Sequence, residues 1–138
     1  METTNKNKEP MKNDFILNLE NRLRGIGTRL KELHFSAPSI TIHKLIDDYS
    51  SDFAEFEDEI MENSQALWGT IKPGELDPVL PEATDFITLL EEVRGILAGI
   101  KKEAGEDMMW TGIINIVDEF WSTTNKYIYL QNIENKVG

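Results

Sequence analysis

Residues 34–62 read HFSAPSITIHKLIDDYSSDFAEFEDEIME. One break and one period in this stretch decide the fold. A residue before proline is pushed out of α geometry, so Ala37-Pro38-Ser39 ends one helix. Ser39 or Thr41 can cap the next. From about Ile40 to about Leu67 the apolar residues Leu45, Ile46, Tyr49, Phe53, Phe56, Ile60 and Leu67 fall on one helical stripe. The same stretch holds both histidines of the chain, His34 and His43. It also carries eight carboxylates between Asp47 and Glu62, with no Lys or Arg from Leu45 to Ile71.

Working outward, Ile16, Leu19, Leu23, Ile26, Leu30 and Leu33 alternate spacings of three and four, which predicts a helix over about Phe15–Phe35. Asn13 or Asp14 can cap it. Gly25 and Gly27 interrupt it, each costing about 1 kcal/mol against Ala, so close helix contact is expected there. Residues 1–13 (METTNKNKEPMKN) lack periodicity and read as a disordered polar tail. Residues 68–81 (WGTIKPGELDPVLP) contain three prolines and two glycines. They form a long link, with one short turn expected at Glu75–Leu80.

A third helix is expected from Pro81–Thr84 to Gly105, with the stripe Phe86, Leu89, Leu90, Val93, Ile96, Leu97 and Ile100. Lys101 and Lys102 suit its last turn and Gly105 its stop. A fourth is expected over about Asp107–Ile133, with Met109, Trp110, Ile113, Ile114, Ile116, Val117, Phe120, Trp121, Ile128 and Leu130 as its apolar set. No period-two pattern appears. Short, long and short links between four amphipathic helices give an all-α, ferritin-like four-helix bundle over residues 14–138, with a long crossover between the second and third helices.

The bulk numbers agree. At 138 residues and 40 % hydrophobic content, one domain can bury a core without staples. With no cysteine in the chain, disulfides, thiolate metal sites and thiol nucleophiles are excluded. A net charge of −11 repels phosphate backbones, so nucleic-acid binding is not expected. Lys6, Lys8 and Lys12 are offset by Glu2 and Glu9. No apolar run is long enough for a membrane span, and the first dozen residues lack a secretory core. A cytoplasmic location is expected.

On a helical wheel at about 100° per residue with His43 at zero, Asp47 falls near 40°, Asp58 near 60° and Glu62 near 100°. The apolar stripe occupies roughly 200–280°. Asp48, Asp52, Glu55 and Glu59 fall at about 120–180° and read as a solvated face. The polar stripe is interleaved with the small residues Ser50, Ser51 and Ala54, which allow another helix close. His43 and Asp47 stand one turn apart and can share a metal, as can Asp58 and Glu62. The two pairs are separated by about 22 Å of helix and cannot meet on one ion within one chain. Two copies of this helix packed antiparallel about a two-fold axis bring them together and create two equivalent sites. His34, at the end of the first helix, can add a nitrogen. Imidazole with carboxylate suits Fe, Mn or Zn better than Mg or Ca.

The spacing of His43, Asp47, Asp58 and Glu62 resembles, residue for residue, that of the Dps family of dodecameric mini-ferritins. His34 is similar in kind to that family's first-helix histidine, with Phe35 where the family usually has Trp. The His34–His43 interval is three residues shorter, and a lysine-rich DNA-binding arm is absent. The chain also resembles a ferritin-like family of unknown function encoded by large tailed phages. That family has the short interval and a C-terminal pattern similar to Asn115–Glu119 followed by Asn125–Leu130.

What the Dps resemblance implies is a ferroxidase. Fe(II) is oxidised to Fe(III) between subunits, with His34, His43 and Asp47 from one chain and Asp58 and Glu62 from its two-fold mate. The cofactor is iron, with Zn or Mn as substitutes, and the partner is a second copy, extending to a dodecamer. The phage likeness places the protein in host cytoplasm or virion. It also supplies the alternative, a non-catalytic structural or host-interaction protein on the same scaffold. A zinc hydrolase is disfavoured because no HExxH pattern is present. The Glu-x-x-His motif of ferritins proper is absent too.

Overall fold

The structure is a computed structural model that describes the backbone of residues 2–137 and the side chains of residues 14–136. The first helix begins at Glu2, ahead of the start expected at Asn13 or Asp14. The backbone of residues 2–13, read as a disordered tail, therefore continues the helix, while the side chains of 1–13 lie outside the described residues. Four α-helices follow one another: α1 (Glu2–Phe35), α2 (Ile40–Trp68), α3 (Phe86–Ala104) and α4 (Thr111–Val137), with one 3-10 turn at Met108–Trp110. There is no strand among the described residues, as the missing period-two pattern predicts.

The helix ends follow local chemistry. Ser39 Oγ accepts from the Ile42 amide at 3.2 Å and starts α2, so Ser39 rather than Thr41 is the cap. Asp85 accepts from the Thr88 amide at 2.9 Å and from the Thr88 hydroxyl at 2.8 Å, which sets the start of α3 at Phe86. That is later than Pro81–Thr84, because the Ala83 amide donates to Glu92 Oε1 at 2.9 Å. Gly105, at φ +55, stops α3 in a conformation that side-chain-bearing residues avoid.

One apolar cluster draws on all four helices. Every stripe position expected for α3 is buried. In α2, Ile42 and Met61 complete the buried stripe, while Leu45 and Leu67 are half-buried. Met109, expected inside, is 60 % exposed. Tyr127 and Thr124 fill the core from α4 instead, and the Tyr49 and Thr124 hydroxyls pair at 2.9 Å. That hydrogen bond gives each of the two buried hydroxyls a partner. The Trp110 ring is buried, as expected, between Phe15 at 5.1 Å and Trp68 at 4.7 Å.

Contacts fix the pairwise directions. Arg24 meets Glu57 and His34 meets Asp47, so α1 and α2 run oppositely. Phe56 meets Phe120 and Tyr49 meets Tyr127, so α2 and α4 do too. Lys101 pairs with Asp118 and Arg94 with Asn125, which makes α3 and α4 antiparallel.

The link between α2 and α3 is fastened along α1. Asn21 accepts from the amides of Asp77 and Val79, at 2.7 and 2.9 Å. The Arg29 guanidinium donates to the Ala83 carbonyl. Asn21, Gly25 and Arg29 are spaced by four and make one stripe of α1. Gly25 is the close approach on that stripe: a Cβ there would lie 1.7 Å from the Val79 carbonyl oxygen. The close contact expected at the two glycines is thus with the link rather than another helix, and only at Gly25. Nothing lies within 4 Å of a Cβ at Gly27. The one tight turn of the link falls at Pro73-Gly74, ahead of Glu75–Leu80.

Candidate metal centre

The break at Pro38 brings the end of α1 against the start of α2, and with it the two histidines. Their rings lie 4.0 Å apart between centroids, tilted by 37°. His43 Nδ1 donates to the His34 carbonyl oxygen at 3.0 Å. A carbonyl only accepts, so this bond puts the proton on Nδ1 and leaves the Nε2 lone pair available. Metal-binding histidines are commonly oriented in this way by a backbone carbonyl. His34 is three-quarters buried, and its Nδ1 has no hydrogen-bond partner. That atom lies 3.6 Å from Asp47 Oδ1, too long for a hydrogen bond. Two ligands about 2.1 Å from one tetrahedral ion stand about 3.4 Å apart, so the pair fits a shared ion.

Asp58 and Glu62 are exposed on α2, as are His43 and Asp47. No group of three or more His, Asp or Glu side chains among the described residues can hold a metal ion. His34, His43 and Asp47 gather at one end of α2, and Asp58 and Glu62 stand apart from them by the helix length that the spacing predicts.

The faces of α2 need one correction. Asp48, Glu55 and Glu59 are exposed, as expected of a solvated face, but the fourth acid of that face turns towards α4. Asp52 is half-buried and accepts from the Tyr127 hydroxyl at 3.1 Å. Burial first, and then that bond to Asp52, push the Tyr127 pKa up to about 12. The stripe of His43, Asp47, Asp58 and Glu62 is centred near 60° on the wheel, opposite the core near 240°. It is therefore the outermost face of α2, not its margin.

Glu57 and Glu20 are the pair that the sequence reading passed over. Glu57 falls near 320° on the same wheel, on the α1 side of the core stripe. Glu20, in the matching stripe of α1, is only 5 % exposed. Arg24 Nε lies 2.7 Å from Glu20 Oε2 and 3.3 Å from Glu57 Oε2. One guanidinium serves two carboxyl groups, so the pair retains a proton. Burial, the hydrogen bond to Glu20 and the Glu20 charge raise the Glu57 pKa from 4.5 to about 8. The available signal was an acid spaced by three and four from core residues on each of two neighbouring helices.

The sign of the resulting pH dependence follows. The native state holds a proton that the unfolded chain releases near its ordinary carboxyl pKa, so raising the pH from about 4.5 to 8 removes stability. Glu57→Gln keeps the shape without the ionisation. It is expected to unfold within about 0.5 kcal/mol of wild type at pH 5 and to be the more stable protein at pH 8. Urea titrations at the two pH values measure this. Parallel loss of stability in both proteins contradicts the shared proton.

No helix of the described residues is long and apolar enough to cross a membrane. The chain matches no protein-family profile, no curated protein and no solved structure.

Proposed function

We propose that this chain is a ferritin-like four-helix bundle with a long link crossing from α2 to α3, and that it binds and oxidises iron at a Dps-type site between subunits. The observation that carries the reading is the histidine end of α2. His43 has its Nδ1 committed to a carbonyl and its Nε2 available, beside a partnerless His34 nitrogen 3.6 Å from Asp47. The second half of the ligand set, Asp58 and Glu62, lies exposed on the same face of α2. Small residues between them (Ser50, Ser51 and Ala54) leave room for the same face of a second copy. A two-fold mate then places its Asp58 and Glu62 opposite His34, His43 and Asp47.

Fe(II) is the substrate. The imidazoles and carboxylates bind it, and the carboxylate oxygens, as hard ligands, favour the ferric product. Each iron loses one electron to peroxide or dioxygen. Zn or Mn can occupy the same ligands. The test is anaerobic Fe(II) loading followed by peroxide, read by absorbance. The His43→Ala, Asp58→Ala double variant is expected to oxidise iron no faster than buffer. Oxidation at the wild-type rate, or a wild-type protein that is monomeric by native mass, sinks the assignment.

A second reading is a non-catalytic phage structural or host-interaction protein on the same scaffold. Phe35, 74 % exposed, and Ile40, 87 % exposed, favour it, because they make an apolar tip on the α1–α2 turn. A stable oligomer that takes up no Fe, Mn or Zn selects this reading.

A further inference from the structure

We propose that a second copy of this chain docks by a knob and a cleft: Ile40 of each chain enters the cleft of its mate between α1, α2 and the start of the long link. The inference rests on the two-fold pairing of α2 proposed above and adds the contacts that fix its register. Placing His43 against Glu62 and Asp47 against Asp58 sets the two-fold between Asp52 and Phe53. The same register puts Ile40 opposite Gln65 and Lys44 opposite Met61. Ile40 falls near 60° on the wheel of α2, in the middle of the ligand stripe. It is 87 % exposed, and no large apolar side chain among the described residues is more so.

The cleft lies at the other end of the same face and holds about 720 Å³. Met61, Ile71, Pro73 and Leu76 are its apolar lining, beside Ala54 and Gln65. Its outer wall is built before any partner arrives. The Ile71 amide donates to Gln65 Oε1 at 2.8 Å, and the Lys72 amide donates to Glu75 Oε1 at 2.6 Å. A two-fold that relates antiparallel helices keeps the α1 side of one chain on the α1 side of the other. The first turn of α2 therefore arrives on the side where the cleft opens. Ile40 and Gln65 stand about 37 Å apart along α2, so one chain cannot close its own cleft, and an isologous pair closes both.

Charge selects the same orientation. Lys44 is the only Lys or Arg of α2, and it shares the first half of the helix with His43. From Ala54 to Gln65 the helix carries five acids and no base. Antiparallel pairing sets the basic end against the acidic end, whereas parallel pairing sets acids on acids. Lys44 and Glu62 both fall near 100° on the wheel and come within one residue of each other in this register.

The chain has no cysteine, so introduced thiols report single positions. Ser51→Cys lies beside the two-fold. It is expected to cross-link chain to chain with a short bis-maleimide, which reports the α2 pairing itself. Ile40→Cys combined with Ile71→Cys is expected to give a covalent dimer on a denaturing gel. Either change alone should give none, because the two positions are about 30 Å or more apart within one chain. Ile40→Ser changes an exposed residue, so the helical circular dichroism should be kept. It is expected to weaken the dimer about a hundredfold in sedimentation equilibrium, about tenfold from each of two equivalent knobs. A Ser51→Cys cross-link without the Ile40→Cys, Ile71→Cys one overturns the knob and cleft and leaves the α2 pairing standing. Absence of both overturns the pairing and this inference together. An Ile40→Ser dimer as tight as wild type also overturns the knob.

Discussion

Phe120→Ala is expected to melt about 10–20 °C below the wild type, a loss of about 3–5 kcal/mol. The Phe120 ring is only 5 % exposed. It stacks on Phe56 with centroids 4.3 Å apart and planes 10° apart. It meets Phe53 edge-on at 6.0 Å and Tyr49 at 5.6 Å. Truncation therefore removes three aromatic contacts at once and leaves a cavity where α2 and α4 join. The surrounding rings cannot all close on it, because the Tyr49 hydroxyl is tied to Thr124. Phe35→Ala is the control. That ring is 74 % exposed and should change stability by less than about 0.5 kcal/mol. Thermal melts followed by circular dichroism at one protein concentration make the comparison. Equal melting temperatures for the two variants are incompatible with this core.

Gly25→Ala and Gly27→Ala are expected to change stability in opposite directions. On propensity alone each should gain about 1 kcal/mol, since alanine is the better helix former. Gly27→Ala meets nothing within 4 Å and should show that gain. A Cβ at Gly25 would stand 1.7 Å from the Val79 oxygen and 2.5 Å from its carbonyl carbon. This is backbone, and it cannot step aside freely, because Asn21 holds the amides of Asp77 and Val79. Either the link lifts and forfeits those bonds, or α1 shifts away from it. An overpacking cost of about 1–3 kcal/mol is expected. Urea unfolding of both variants reads the two signs directly, and a shared sign rejects the close approach at Gly25.

The two glycines also show why part of the structure was hidden in the sequence. A glycine inside a helical stripe signals that something comes near, but not what. A neighbouring helix was the simpler expectation, and the proline-rich link is what arrives. Helix spans from Phe35 onward were legible because caps and periods are local: Ser39, Pro38 and Gly105 act within four residues of themselves, whereas α1 begins at Glu2, in a segment without apolar periodicity. The buried faces of α2 and α3 followed from spacing for the same reason. Tyr127 was missed in α4 because an aromatic with a hydroxyl reads as ambiguous until its partner, Asp52, is known. Glu20 and Glu57 were missed because a charged residue reads as surface unless a second buried acid and an arginine stand beside it.

The candidate centre divides along the same line. Sequence by itself determined the four helices and their apolar stripes. It also determined that His43, Asp47, Asp58 and Glu62 share one face of α2, with the two pairs about 22 Å apart, since helix geometry turns spacing into angle and length. Only the tertiary structure decided that the His34 ring lies against His43 and that a backbone carbonyl orients the His43 ring. It alone placed Glu20 against Glu57. These are contacts between segments distant along the chain or turned back at a break. They depend on how α1 and α2 dock, and no local period encodes that.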